Sequence, residues 1–154
     1  MVERAHISDI ASLTALRLEF LQEDCGELSV ETKSKLIEAL PAYFEKNLNH
    51  NIFCYLIREM EEVVACAFLL IVEKPANPMF ITGRTGTVLN VYTKPICRHK
   101  GYAKAMMKTL LQDAVELDLS FVDLESTEAG YDLYKSIGFT DDVSKYHCMK
   151  WYNV

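Results

Sequence analysis

The sequence predicts a mixed α/β domain on one twisted sheet, in the order β-α-α-β-β-β-α-β-α-β-β. Three features predict it. Helical apolar spacing runs up to Leu48, and near-continuous apolar runs follow at residues 52–57 and 63–72. A β-branched run at residues 87–92 then passes through a basic, glycine-bearing loop into an amphipathic helix.

Each element has its own justification. Residues 2–6 read as a short first strand. Ser8 and Asp9 are N-cap types ahead of a helix whose apolar face is Ile10, Leu13, Leu16, Phe20 and Leu21. After the acidic loop 23–27, Ser29 caps a second helical stretch with Leu36, Ile37, Leu40, Phe44 and Leu48 on one side. Pro41 lies inside that stretch, so a kink or a break into two shorter helices is expected. The two apolar runs form a hairpin, its second strand buried on both faces, with a Glu-rich solvated tip at residues 58–62. Residues 120–124 read as a further strand. Thr127 caps a short helix carrying Ala129, Leu133, Tyr134 and Ile137, and Gly138 ends it. Residues 139–140 and the alternating run 145–152 read as two closing strands, with Trp151 in the core; Met60, Met79, Met106 and Met107 are expected in the core or covering loops.

The bulk properties exclude several classes. The 154 residues, 1–154, make one domain with room for a substantial core. No apolar run approaches the roughly 20 residues that span a bilayer, and the N-terminus lacks the apolar core of a signal peptide, so a cytoplasmic protein without membrane partners is expected. The five cysteines are widely spaced with no Cys-x-x-Cys pair, which reads as free thiols, most of them buried. Cys97 is the one that abuts the basic loop. The four histidines have no ligand spacing, and no metal is expected.

Charge is unevenly placed. The net charge is −6, yet no Asp or Glu occurs from Lys74 to Gln112, where Lys74, Arg84, Lys94, Arg98, Lys100, Lys104 and Lys108 lie. A basic segment in an acidic chain points to one localised anion; the acidic balance and the lack of interleaved aromatics argue against nucleic acid. Within that segment, Arg98-His99-Lys100-Gly101-Tyr102-Ala103 sits where a strand gives way to a helix whose buried face is Tyr102, Ala103, Met106, Met107, Leu110, Leu111 and Ala114. Free backbone N–H groups and the positive end of the helix dipole converge there, and a glycine lets a phosphate approach.

The run Val91-Tyr92-Thr93-Lys94-Pro95-Ile96-Cys97-Arg98-His99-Lys100-Gly101-Tyr102-Ala103 resembles the acetyl-CoA signature of the GNAT superfamily of N-acetyltransferases, a strand and a proline followed by Arg/Gln-x-x-Gly-x-Gly/Ala. Downstream, Leu133-Tyr134-Lys135-Ser136-Ile137-Gly138-Phe139 resembles the family's Leu-Tyr-x-x-x-Gly-Phe helix end. The resemblance covers nearly the whole chain in element order and implies a mostly antiparallel sheet flanked by helices. It implies acetyl-CoA as co-substrate, with the backbone of Val91, Tyr92 and Thr93 along the pantetheine arm. The amides of His99, Lys100, Gly101, Tyr102, Ala103 and Lys104 would cradle the pyrophosphate, and Arg98 would open the loop. Thr127 stands where many members carry an Asn that contacts CoA, a departure that leaves one hydroxyl to bond.

By the same resemblance Tyr134 is the general acid, since a phenol stays protonated at pH 7 and can serve the leaving thiolate. The general base is less marked. The central strand offers only Asn90 and Tyr92 where some members place a Glu; the next strand offers Asp123 and Glu125, and Glu125, at its end, is the candidate. The acceptor, a small-molecule amine or a peptide amine, would lie between the first two helices and the hairpin, near Glu19, Glu23, Asp24 and Glu27. The expected reaction is acetyl transfer to a primary amine by direct attack in a ternary complex. The alternative is a non-catalytic CoA- or acyl-CoA-binding regulatory module. Dimers are common among similar proteins, so a homodimer stays open.

Overall fold

A computed structural model describes residues 1–153. Its sheet runs in the spatial order β1 (Val2–Arg4), β2 (Ile52–Glu59), β3 (Glu62–Glu73), β4 (Arg84–Thr93) and β5 (Val122–Asp123). The first three pairings are antiparallel, and β4 meets β5 in parallel. Helices α1 (Ile10–Cys25) and α2 (Val30–Asn47) cover one face, and α3 (Tyr102–Glu116) covers the other. The last helix, α4 (Tyr131–Ser136), packs at the edge of the α3 side through Tyr134.

Two cores explain the continuous apolar runs. On the α1/α2 side, Leu13, Leu16 and Phe44 pack on Cys54, Leu56, Cys66 and Phe68. On the α3 side, Met106, Met107 and Leu110 pack on Tyr55, Ala65, Ala67 and Leu69. Strands β2 and β3 feed both cores, so alternation is lost in their sequence. The hairpin between them turns through Met60 and Glu61, both at positive φ (47° and 69°), as a two-residue turn matching the strand twist requires. Tyr55 is fully buried, but its hydroxyl reaches the Asp113 carboxylate of α3 at 2.7 Å, where Arg4 also donates at 3.1 Å.

Several expectations are corrected. Pro41 does not divide α2, which is continuous. The helix is mostly exposed, with only Phe44 buried within it, so the carbonyl that Pro41 leaves unpaired lies near water. Ser29 does cap α2, accepting from the Thr32 amide at 3.1 Å. Asp9 is no side-chain cap for α1; it caps the 3-10 turn Ile7–Asp9 just before it, its carboxylate accepting from the His6 amide at 2.8 Å, and it also accepts from Arg58. Strand β5 is only two residues long, and no strand forms in residues 139–153. Alternation specifies a face but not a partner, and Tyr146, Met149, Trp151 and Tyr152 are exposed there. Trp151 is therefore no core residue. Met60 and Met79 are exposed too, whereas Met106 and Met107 are fully buried. Cys54, Cys66 and Cys97 are buried free thiols, and Cys25 and Cys148 are exposed. Among the described residues no helix is long and apolar enough to cross a membrane, and no three His, Cys, Asp or Glu side chains gather as a metal site.

Candidate active site

The cleft arises where pairing stops. β4 pairs with β5 only at Gly86–Val122 and Thr87–Asp123. From Val88 onward, the edge of β4 away from β3 has no strand neighbour. A bulge helps turn it aside. The β3 register steps from Phe68–Leu89 to Cys66–Tyr92, leaving Asn90 and Val91 opposite Ala67. Asn90 takes the left-handed conformation, φ 54°, which asparagine tolerates better than most residues. Its buried side chain is held at both ends: Oδ1 accepts from Arg17 at 3.1 Å, and Nδ2 lies 3.2 Å from the Cys66 sulfur.

Beyond β4, the turn Pro95–Cys97 leads into the loop and then α3. His99 and Gly101 both have positive φ, 63° and 80°. Left-handed residues in a turn direct successive N–H groups into a concavity suited to an anion. Among the described residues, the amides of 99–104 find no protein acceptor, and no side chain caps α3. A Cβ built on Gly101 would meet nothing within 4 Å, so the space before the loop is open. Six free N–H groups at a helix N-terminus, beside an unpaired strand edge, fit the diphosphate and amide-bearing arm of acetyl-CoA.

Strand edge, loop and α4 enclose one cleft of about 740 Å³. Of the residues expected from the sequence, Val91, Tyr92, Thr93, Arg98, His99, Gly101, Tyr102, Ala103, Lys104, Glu125, Thr127 and Tyr134 line it. Lys100 does not: its ammonium bonds Glu59 at 2.7 Å, and Tyr102 donates to the same carboxylate at 2.5 Å. Arg98 is likewise engaged. Its Nε donates to the Thr93 carbonyl at 3.0 Å, and Nη2 reaches both oxygens of Glu23 at 2.8 and 2.6 Å. The side chain thus staples the end of α1 to the end of β4.

Tyr134 enters the cleft from α4, its ring edge-on to Phe139 at 5.9 Å. Gly130 makes room for that ring, because a Cβ there would come within 2.9 Å of Tyr134 Cε2. Burial pushes the phenol above its ordinary pKa, and its hydroxyl bonds to no described residue. Thr127 caps the preceding turn by accepting from the Gly130 amide at 3.3 Å. Glu125 is exposed at the cleft's margin. On the opposite wall, the buried Tyr92 hydroxyl donates to Glu19 at 3.2 Å, with Phe20 edge-on at 6.4 Å. Burial and the Glu19 carboxylate push the Tyr92 phenol up to about 12.

Of the proposed acceptor acids, Glu23 and Asp24 line the cleft, Glu19 stands behind its wall on the Tyr92 hydroxyl, and Glu27 lines a separate hollow between α1 and α2. Arg17 is absent from the reading of the sequence, although a signal existed. It falls on the same helical stripe as Leu13, Leu16 and Phe20, a charge in an apolar face.

An open α/β sheet whose parting strands lead into a helix N-terminus with free amides defines a site suited to an anionic ligand. A sequence model of the acetyltransferase (GNAT) family matches residues 15–139, and the chain belongs to that family. Among solved structures, a predicted acetyltransferase from Clostridium acetobutylicum, solved with acetyl-CoA, superposes with a TM-score of 0.83 at 25% identity, covering 97% of this chain and 95% of that one. A GCN5-related N-acetyltransferase from Ralstonia eutropha gives 0.80 at 20% identity over 97% of both chains. A ribosomal-protein-alanine N-acetyltransferase from Brucella melitensis gives 0.68 at 21% identity, covering 97% of this chain and 99% of that one. No curated protein sequence matches the chain.

Proposed function

We propose that the protein transfers an acetyl group from acetyl-CoA to a primary amine within a ternary complex. The observation that carries this reading is convergence. The free amides of the loop, the unpaired edge of β4 and the Tyr134 hydroxyl all open onto one cleft. Bound acetyl-CoA would supply an activated thioester carbonyl. The unpaired edge of β4, through Val91 to Thr93, orients that carbonyl, and the amides of residues 99–104 hold the diphosphate.

Tyr134 supplies the proton for the departing sulfur. Its raised pKa keeps the phenol protonated through neutral pH, and the absence of an internal partner leaves that proton available. Glu125 accepts the proton that the incoming ammonium must lose, directly or through water. The new N–C bond forms as the C–S bond breaks, and the second proton shed by the nitrogen restores the Tyr134 phenol, giving an amide and free CoA thiol.

Mass spectrometry of an amine panel incubated with acetyl-CoA tests the reaction; a thiol reagent is a poor substitute, because the protein's own five cysteines can react. Tyr134→Phe is expected to lower kcat by about 10²–10⁴-fold, the usual range for a lost general acid, while the affinity for acetyl-CoA changes little. Full turnover in that variant overturns the role of Tyr134. Acetyl-CoA binding without product from any amine would support the regulatory alternative.

A further inference from the structure

Helix α1 carries two half-buried charges that touch no opposite charge; Asp24 acts on Arg17, and Glu19 on Lys94, only from a distance. Arg17 donates to the Asn90 carboxamide at 3.1 Å, and Glu19 accepts from the Tyr92 hydroxyl at 3.2 Å. Among the described residues neither takes part in an ion pair, although eight ion pairs occur elsewhere. Both anchors belong to β4, two residues apart on the strand that would hold the thioester carbonyl, and both line the cleft. Phe20, which lines the cleft, stands near both anchored groups: its ring lies 5.6 Å from the Arg17 guanidinium and 6.4 Å from the Tyr92 ring.

Such an arrangement is costly. Charges removed from water are normally matched by opposite charges, and single neutral hydrogen bonds do not replace that match. Each group has unspent capacity. Arg17 uses one of its five N–H donors on Asn90, and Glu19 uses one lone pair of four. A guanidinium presents a planar fork shaped for a carboxylate, and a carboxylate accepts an ammonium. A cation and an anion anchored two residues apart on one strand are complementary to a small zwitterion.

We infer that the acceptor is a free amino acid or a close analogue, with its carboxylate on Arg17 and its ammonium on Glu19. The inference rests on the acetyl-transfer reading and names the substrate class of that same site. Glu19 holds the amine beside β4, and Arg17 sets which end of the substrate faces the thioester. Asn90, fixed in its bulge, positions the guanidinium, and Tyr92 positions the carboxylate.

The test pairs each amino acid with the amine left when its carboxylate is removed, such as phenylalanine against phenethylamine. Acetylation is followed by mass spectrometry, and binding to the CoA-loaded protein by calorimetry. The wild-type protein is expected to favour the carboxylate-bearing member by at least about tenfold in kcat/KM, mostly through KM. In Arg17→Gln that ratio is expected to collapse to within about twofold, and Arg17→Lys to restore part of it. Equal use of both members, equal loss of both in Arg17→Gln, or preference for a peptide N-terminus overturns the inference while leaving acetyl transfer intact. If no amine turns over, the reaction reading fails separately, and calorimetry still decides: tighter binding of the amino acid supports the site, and equal or absent binding overturns it. The wild-type comparison needs no variant to fold.

Discussion

Asp9 shows how a residue that fits one role in the sequence takes another in the fold. It reads as the cap of α1, but its carboxylate caps the turn before that helix through the His6 amide and also accepts from the Arg58 guanidinium, tying the start of α1 to β2. Burial acts to raise its pKa, and the His6 amide and Arg58 outweigh burial, so the net shift is downward. A carboxylate depressed on folding stabilises the fold above its unfolded value of about 3.9, and that contribution fades as pH falls through the lower folded value. The urea midpoint of the wild-type protein should therefore exceed that of Asp9→Asn by a constant margin above about pH 5. Below about pH 4 the margin should shrink. A margin undiminished at pH 2.5 would show that the charge on Asp9 is not what stabilises this corner.

Helix α2 tolerates a proline because it is exposed. A proline in a helix interior costs about 3 kcal/mol relative to alanine, through the lost N–H and the crowded preceding turn. Pro41→Ala is expected to raise stability by about 1–3 kcal/mol in chemical denaturation, and unchanged or lowered stability would mean that α2 bends to suit its contacts at Phe44. Legibility followed the same physics. Elements with a self-contained signal were readable: the Ser29 cap, the apolar runs of β2 and β3, and the inward face of α3 at Met106, Met107 and Leu110. The cleft-lining set was largely readable, because the loop and α4 carry local patterns. What depends on partners was not. The alternation in residues 145–152 could not disclose that no strand edge receives it, and nothing local sends Arg98 to Glu23 or Lys100 to Glu59. Arg17 was legible in principle, but its meaning needed Asn90, 73 residues away.

On the scale of the molecule, binding and folding are linked. The cleft touches α1, β4, α3 and α4, so a ligand there binds the assembled fold and not the unfolded chain. Acetyl-CoA at 100 times its Kd should add roughly 2.7 kcal/mol of stability. Thermal unfolding with rising acetyl-CoA checks it, and an unmoved Tm at millimolar ligand would sink the proposed donor.

The stretch of β4 beyond Thr87 has a different significance when the cleft is empty. Bare main-chain edges are templates on which foreign strands can grow, and proteins usually blunt them with charge, twist or cover. Here the Asn90 bulge breaks the regular spacing that an intruding strand would need. The same distortion that shapes the cleft therefore makes its edge a poor seed for fibrils.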